Sequence, residues 1–338
     1  MIKILTNWWW ETLIKPLEKY LNNILIIWLN KDKYYNYNDY NVFSKLNIEL
    51  EKDKYNIVHM NSWFDLFVFK RKKWVKYIFE SHAIHPGISL KYSLLITESF
   101  TNKIVIVLFY PIFKLIFLLK IKQIDLYLVS IPWLLDLTKN YNSLWLPNPI
   151  DITLFYKNEN HLELDNNYIN IFYPTWLREI KNPVFAFELI KKIKLKYNNT
   201  RFYFIKQSVS NYKRYEKYIK NIEENIIWLD QIDRDKITYY YSADWDLVLG
   251  SFYPEKPYAV LNMIELEAMA CKAPIIVSDL NELIFKNFVE LKELAFNIIE
   301  NKDFREKYIE KNYEYILSKH SWENVAKIYE KYINKLLN

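Results

Sequence analysis

The sequence predicts an α/β protein built from two doubly wound parallel sheets, and three observations lead to this fold class. The 338 residues are enough for two domains with buried cores. Short apolar runs alternate with longer helical patterns along both halves of the chain, which is typical of β-α-β units in a parallel sheet. Pro147-Asn148-Pro149 and the polar residues 157–167 interrupt the alternation once, which indicates a domain boundary.

In the first half, six short apolar runs have the length and composition of buried strands. They are Lys3–Leu5, Ile24–Leu29, Ile57–Met60, Val75–Phe79, Leu126–Val129 and Leu144–Leu146. The second half repeats the pattern, with predicted strands at Ile169–Tyr173, Arg201–Ile205, Ile226–Leu229, Asp246–Leu249 and Pro274–Ser278. Helices are predicted between them at Pro183–Lys196, Tyr212–Asn221, Asp233–Ser242 and Leu261–Cys271. We therefore expect domains at residues 1–155 and 156–320, followed by a last helix at 321–338.

Composition excludes several kinds of site. Average usage predicts about 24 glycines in a chain of this length, but the sequence has two, Gly87 and Gly250. A Walker P-loop, a GxGxxG dinucleotide fingerprint and a GxSxG nucleophile elbow each need clustered glycines and are excluded. The single Cys271 excludes an intrachain disulfide and a cysteine-rich zinc site, so we expect a reducing, cytoplasmic location.

Positive charge is concentrated in the first half of the chain. Residues 1–150 hold 19 Lys and Arg against 12 Asp and Glu, whereas residues 151–338 hold 27 against 28. The cations cluster at residues 70–76, close in sequence to the apolar stretch Ile104–Leu119, which is too short and too interrupted for a predicted membrane span. This stretch is either an interfacial helix on an anionic membrane or a buried core helix.

Candidate ligand-binding residues follow predicted strands of the second half. Arg178 and Lys181 come between a strand and a helix N-terminus, where two cations and backbone N–H groups suit phosphate oxygens. Glu267 lies in the first turns of a helix that begins at the carboxyl end of a strand. A carboxylate there can accept two hydrogen bonds from a ribose diol.

Eight segments, in order along the chain, resemble motifs of the family 4 glycosyltransferases with the GT-B fold. Glu267-Ala268-Met269-Ala270 resembles the family's E-A-M-A signature, and Arg178 with Lys181 resembles a shortened G-R-x-x-x-x-K-G loop. The other segments are Asn56-Ile57-Val58-His59, Phe79-Glu80-Ser81-His82, Asp125–Ser130, Leu146–Asp151, Ala243-Asp244 and Ser321-Trp322-Glu323.

The resemblance implies two Rossmann-like domains that face each other across a cleft, with the last helix crossing back to the N-terminal domain. It implies a retaining transfer from a nucleotide-diphosphate sugar, with no metal and no further cofactor. Arg178 and Lys181 would hold the donor diphosphate, Glu267 the ribose and His82 the reacting sugar and acceptor. Residues Tyr258, Asn262 and Met263 would form the donor loop.

The sequence departs from the family at several positions. Ala259 stands where the family has its first glutamate, and Glu255, one helical turn earlier, is the nearest replacement as a catalytic residue. Family glycines are replaced by Pro149, Asn182, Asn262 and Lys272. The glycine-rich loop after the first strand has become Thr6-Asn7-Trp8-Trp9-Trp10, whose Trp8, Trp9 and Trp10 either line the acceptor side or begin a helix with one Trp in the core.

The expected partners are a nucleotide sugar, a sugar, lipid-linked, glycan or protein acceptor, and an anionic membrane surface. The alternative is a non-catalytic GT-B relative that binds a nucleotide or sugar as a subunit, which Ala259 motivates. No segment resembles a nucleic-acid-binding motif, so nucleic acid is not an expected partner. The Asp-x-Asp patterns at Asp233 and Asp244 are attributed to a helix cap and a strand start rather than to a metal site.

Overall fold

The chain divides into two compact units, residues Met1–Pro149 with Trp322–Asn338, and residues Ile150–Ser321. The computed structural model describes residues 2–6, 20–21, 24–28, 55–60, 69–81, 89–97, 100–178, 181–206, 209–233, 236–252, 261–277 and 288–338. Each unit is described below by itself.

The N-terminal unit is built on one parallel sheet. Its described strands are β1 (Ile2–Thr6), β2 (Ile24–Trp28), β3 (Ile57–Met60), β4 (Lys76–Ser81), β5 (Leu126–Val129) and β6 (Ser143–Trp145). They pair in the order β2-β1-β3-β4-β5-β6, and every pair is parallel. Parallel neighbours need crossover connections, and the described helices in them are α1 (Leu90–Ile96), α2 (Phe100–Ile121) and α3 (Leu134–Thr138).

The C-terminal unit repeats this architecture with a parallel sheet in the order β11-β10-β7-β8-β9. Its described strands are β7 (Ile169–Tyr173), β8 (Thr200–Ile205), β9 (Ile226–Leu229), β10 (Leu247–Leu249) and β11 (Ile275–Ile276). The described helices are α4 (Pro183–Lys196), α5 (Val209–Ile219), α6 (Ile237–Tyr241), α7 (Met263–Ala270), α8 (Phe288–Glu300) and α9 (Lys302–Lys319), with a 3₁₀ turn at Glu223–Asn225. Apolar cores lie on both faces of the sheet, as the doubly wound fold requires.

The last helix, α10 (Trp322–Leu337), belongs to the N-terminal unit. Its buried side chains recur at the spacing of one helical face, namely Trp322, Val325, Ala326, Tyr329 and Ile333. This face packs on apolar residues of the N-terminal sheet, among them Ile57, Ile78 and Leu128. The chain thus completes its first unit with its last described helix.

A buried triad of polar side chains joins α10 to the sheet. His59 on β3 lies between Tyr329, whose Oη is 2.7 Å from His59 Nδ1, and Glu80 on β4, whose Oε2 is 3.0 Å from His59 Nε2. All three residues are at most 1% exposed. Burial raises the pKa of the Glu80 carboxyl well above its ordinary value, since removal from water disfavours its charged form.

Residues 150–165 lie with the C-terminal unit, whereas the sequence analysis assigned residues up to 155 to the N-terminal domain. The Ile150 N–H donates to His320 O at 2.7 Å, which pairs the start of this segment with the end of α9. Further along, Asn158 N–H donates to the Ser242 hydroxyl and Leu162 N–H to Tyr239 O. The polar composition of this segment therefore reflects a surface that is hydrogen-bonded to the α6 region.

Helix α2 corrects one interpretation of the apolar stretch Ile104–Leu119. The helix extends over 22 residues through Pro111, and only Phe117 and Ile121 are buried. It is the one described helix long and apolar enough to cross a membrane, and 11% of its most apolar window is buried. A core helix would be mostly covered, so the core interpretation is wrong.

Candidate functional site

The candidate site in the C-terminal unit begins with the loop after β7. Thr175 and Leu177 are buried, so the backbone of this loop is anchored while Trp176 and Arg178 remain exposed. The Arg178 guanidinium lies over the Trp176 ring, 5.8 Å from its centroid. Lys181 N–H donates to Arg178 O at 2.9 Å, which closes a turn that holds both cations on one short segment. The predicted cationic pair is therefore brought together.

The loop after β7 is joined to the end of β10, its neighbour in the sheet. Phe252 N–H donates to Lys181 O at 3.2 Å, which couples the two carboxyl-terminal strand ends. Gly250 directly follows β10 and lies close to the end of β11, where there is no room for a side chain. A Cβ there would lie 2.5 Å from Val277 Cγ1 and 3.0 Å from Ile276 O. Close packing of β10 on β11 thus explains why a glycine stands at this position of a glycine-poor chain.

A capping box organises the N-terminus of α7. The Asn262 side chain accepts from Ile264 N–H, and the Glu265 carboxylate accepts from Asn262 N–H at 2.9 Å. Glu265 also accepts from Ser251 N–H at 2.8 Å, and Asn262 Nδ2 donates to the Ser251 hydroxyl at 3.1 Å. The helix start is therefore fixed to the end of β10.

Glu265 is 1% exposed, so its charge state depends on its surroundings. Burial raises the pKa of the Glu265 carboxyl, whereas the positive charge of Lys181 and the bonds from Asn262 and Ser251 oppose that rise. Lys181 is therefore close enough to Glu265 for their charges to interact. A cation and a helix N-terminus that lie together form a setting for an anionic group.

Glu267 lies two residues beyond Glu265 and therefore on the opposite side of α7. It is 7% exposed, and its charge acts on Tyr241 and Cys271. Burial is the larger cause that raises the pKa of the Cys271 thiol to about 12, and the Glu267 charge adds to it. Glu265 and Glu267 thus have different environments on one helix, the first hydrogen-bonded to strand ends and the second beside α6.

Two of the positions where glycine is replaced adopt the left-handed conformation that glycine favours. Asn182, before α4, has φ 47°, and Lys272, after α7, has φ 55°. Asn tolerates this region better than most residues, whereas Lys has no such preference. Lys272 N–H donates to Met269 O and Ala273 N–H to Ala268 O, the two bonds of a Schellman helix end. The turn has been kept although the glycine has not.

The structure gathers five of the predicted site residues on the loop after β7 and on α7. Arg178 and Lys181 lie on the loop, Asn262 caps the helix, and Met263 and Glu267 belong to its first two turns. The other predicted site residues, His82, Glu255, Tyr258, Trp8, Trp9 and Trp10, lie outside the described residues. Their proposed roles stay predictions.

Sequence reasoning gave no role to three residues that organise this site, Gly250, Ser251 and Glu265. The spacing Asn262-x-x-Glu265 is the pattern of a capping box, and it was available in the sequence. The hydrogen bonds that connect Ser251 with Glu265 and with Asn262 join residues fourteen and eleven positions apart. They depend on the register of β10 against α7, which no local pattern encodes.

Comparison with known proteins identifies the fold and the C-terminal unit. Residues 156–306 match the family model described as Glycosyl transferases group 1. A glycosyltransferase from Rickettsia africae ESF-5 has 14% identity and a TM-score of 0.67, over 100% of this chain and 99% of its own. Anabaena Alr3699/HepE, solved with UDP, has 10% identity and a TM-score of 0.66, over 99% of this chain and 100% of its own.

A third structure, TarM from S. aureus in complex with Fondaparinux, alpha-GlcNAc-glycerol and UDP, has 16% identity and a TM-score of 0.58. It covers 88% of this chain, which spans 59% of that protein. No curated protein sequence matches the chain. At these identities the structural neighbours establish the fold and leave donor and acceptor open. Residues 156–306 are therefore similar to the glycosyl transferases group 1 family, and the chain as a whole has the GT-B fold.

Proposed function

We propose that the protein is a retaining, metal-independent glycosyltransferase that uses a nucleotide-diphosphate sugar. The observation that carries this proposal is the pairing of Arg178 and Lys181 on the loop after β7, next to the capped N-terminus of α7. In the transfer, the bond between the sugar's anomeric carbon and the diphosphate breaks, and a bond to an acceptor oxygen forms. The negative charge that develops on the leaving diphosphate is what two fixed cations would stabilise.

Each described residue has a distinct part in this proposal. Arg178 would offer a bidentate fork to phosphate oxygens, and Lys181, whose charge acts on Glu265, would add a point charge. Glu267, slightly exposed on the other side of the helix, would accept hydrogen bonds from the ribose hydroxyls. Asn262 and Met263 would line the donor beside them. His82 and Glu255 are proposed as the catalytic residues at the reacting sugar, and Trp8, Trp9 and Trp10 as acceptor contacts.

A UDP-sugar is the donor to test first, because Anabaena HepE was solved with UDP-glucose and TarM with UDP. The experiment measures nucleotide release from UDP-, GDP-, ADP- and TDP-sugars with a panel of sugar, glycan and lipid-linked acceptors. Arg178→Ala and Lys181→Ala should each lower kcat/KM by about 100- to 1,000-fold, the cost of one electrostatic contact to the transition state. Glu267→Gln should mainly raise KM for the donor.

Lys302→Ala is the matched control, since Lys302 is an exposed cation of the same unit, 3.9 Å from Glu306. It should behave like the unaltered protein. Full turnover in Arg178→Ala and Glu267→Gln would contradict the proposal. Saturable nucleotide binding without turnover on any acceptor would instead favour the non-catalytic relative that Ala259 motivates.

A further inference from the structure

Helix α2 presents its apolar side chains outward, which reverses the usual arrangement of a surface helix. Leu108 is 68% exposed and Leu115 58%, although both are large and apolar. Five of its exposed apolar positions follow one another by three or four residues and form a single line along the helix. This outward stripe consists of Ile104, Leu108, Ile112, Leu115 and Leu119.

The lysines of α2 are on the opposite, half-buried side, with Phe117 and Ile121. Lys114 Nζ lies 3.4 Å from the Tyr110 hydroxyl, to which it donates, and Lys120 Nζ donates to Phe69 O at 3.1 Å. Lys114 and Lys120 are thus bound by the protein, whereas Lys103 lines the groove beside the helix. Nothing polar interrupts the outward stripe over about 22 Å, the length of the 15 helical rises from Ile104 to Leu119.

Residues 70–76 form a basic segment that is attached to the C-terminal end of α2. Arg71 donates to Gln123 O and lies 3.0 Å from the Asp125 carboxylate, just beyond the helix. Lys70 and Lys73 are exposed, and Trp74 is 67% exposed with Lys72 over its ring. Exposed tryptophan beside lysine and arginine is the composition of membrane-interface anchors.

Charge complementarity identifies the class of surface that fits. Residues 69–125 contain ten Lys and Arg against three Asp and Glu, so they hold the whole positive excess of the first half. One of the three carboxylates, Glu80, is buried. An apolar stripe flanked by cations and an exposed tryptophan matches an anionic lipid bilayer, which offers hydrocarbon and negative headgroups side by side.

The topology of the sheet decides how α2 can meet a bilayer. Strands β4 and β5 pair directly, from Ile78↔Leu126 to Ser81↔Val129, so both ends of their connection lie on the same side of any membrane. One crossing by α2 would need a second crossing by residues 82–99. That segment includes Pro86, Lys91 and Glu98 and is shorter than the roughly 20 apolar residues of a span. If α2 meets a membrane, it therefore lies in the membrane plane rather than across it.

We propose that the outward stripe of α2 and the basic segment 70–76 together form a docking surface for anionic membranes. A groove of about 430 Å³ between α1 and α2 adds a place for an acyl chain. Leu94, Phe100 and Val107 line it, and Lys103 supplies a cation for a lipid phosphate. This docking is a property of the N-terminal unit and does not depend on whether the chain transfers a sugar.

The test is co-sedimentation of the whole purified protein with phosphatidylcholine vesicles, with and without phosphatidylglycerol, at low and at high salt. We expect binding to the anionic vesicles that high salt weakens. Leu108→Gln with Leu115→Gln should reduce the partition coefficient at least about tenfold at either salt concentration. Lys70→Glu with Lys73→Glu should reduce it at low salt only, because screening already removes that attraction at high salt.

Leu195→Gln, at an apolar side chain of α4 that is 71% exposed, and Lys302→Glu are the matched controls and should bind as the unaltered protein does. Unchanged thermal unfolding will show that each variant is folded. Three results would overturn the proposal: no binding to anionic vesicles at low salt, equal loss in Leu195→Gln, or unaltered binding by the double-leucine variant. Self-association that the double-leucine variant abolishes, with vesicle binding intact, would assign the stripe to a second copy of the chain instead.

Discussion

Replacing Tyr329 with Phe tests whether the buried triad holds α10 against the N-terminal sheet. The substitution removes one hydroxyl and leaves the ring, which is stacked on His59 with a centroid distance of 5.5 Å. His59 Nδ1 then loses the partner that lies 2.7 Å away, in a place that water does not reach. An unpaired buried polar atom costs about 1–3 kcal/mol of unfolding free energy.

Tyr332→Phe is the matched control, because it removes the same group from the same helix. The Tyr332 hydroxyl donates to Trp145 O at 3.0 Å, but Tyr332 is half-buried, so water can replace the lost bond. We expect a cost of about 0.5 kcal/mol or less at this position. The comparison isolates burial, since ring packing and helix propensity change equally in the two variants.

The assay is amide hydrogen exchange of residues 322–337, supported by urea and thermal unfolding. Where exchange occurs by opening of α10, a decrease of about 1–3 kcal/mol in the free energy of opening corresponds to roughly 5- to 150-fold faster exchange in Tyr329→Phe. The thermal midpoint of the N-terminal unit should fall by about 2–4 °C for each kcal/mol. Equal effects of Tyr329→Phe and Tyr332→Phe on exchange and stability would refute the reasoning.

Three further predictions follow from other buried or strained positions. Burial raises the pKa of Glu80, so the folded protein retains a proton that the unfolded chain loses above about pH 4.5, and stability falls as pH rises through that window. Glu80→Gln should therefore gain stability over the unaltered protein as the pH rises above about 4.5 in urea unfolding, whereas Glu323→Gln at an exposed site should show a constant difference. Lys272→Gly should be about 1–2 kcal/mol more stable than Lys272→Ala, because both lose the side-chain contacts but only Ala keeps the left-handed strain; an Ala variant at least as stable would contradict this. Gly250→Ala should cost about 1–3 kcal/mol by forcing Val277 away, and an unchanged thermal midpoint would count against the packing argument.

The fold was predictable because its signal is distributed along the chain. Each strand is a short apolar run, and the strands at Ile57–Met60, Leu126–Val129, Ile169–Tyr173 and Ile226–Leu229 have the predicted bounds. Helix α2 was partly predictable: its apolar stretch was found at Ile104–Leu119, but the helix extends over Phe100–Ile121, and which side faces outward depends on packing. The sequence therefore left core and interfacial interpretations open, and only exposure separates them.

Some site residues could be predicted because their side-chain chemistry matches one particular part of the expected ligand. Arg178 and Lys181 follow a strand, and Glu267 lies in the first two turns of a helix, so local order along the chain was enough to select them. Glu265 was missed because its role comes from Ser251, fourteen positions away, and from a buried environment. The compact units divide at Ile150 rather than at residue 155 for a related reason, since Ile150 pairs with the end of α9, about 170 positions later.

The discontinuous N-terminal unit has a consequence for synthesis on the ribosome. Residues 150–321 are contiguous and can bury both faces of their sheet as soon as they emerge. The earlier unit lacks the helix that covers Ile57, Ile78 and Leu128 until residues 322–337 have been made. The C-terminal unit, which is translated second, should therefore finish folding first. Nascent chains stalled before residue 322 should expose the sheet surface and His59 to chaperones and proteases.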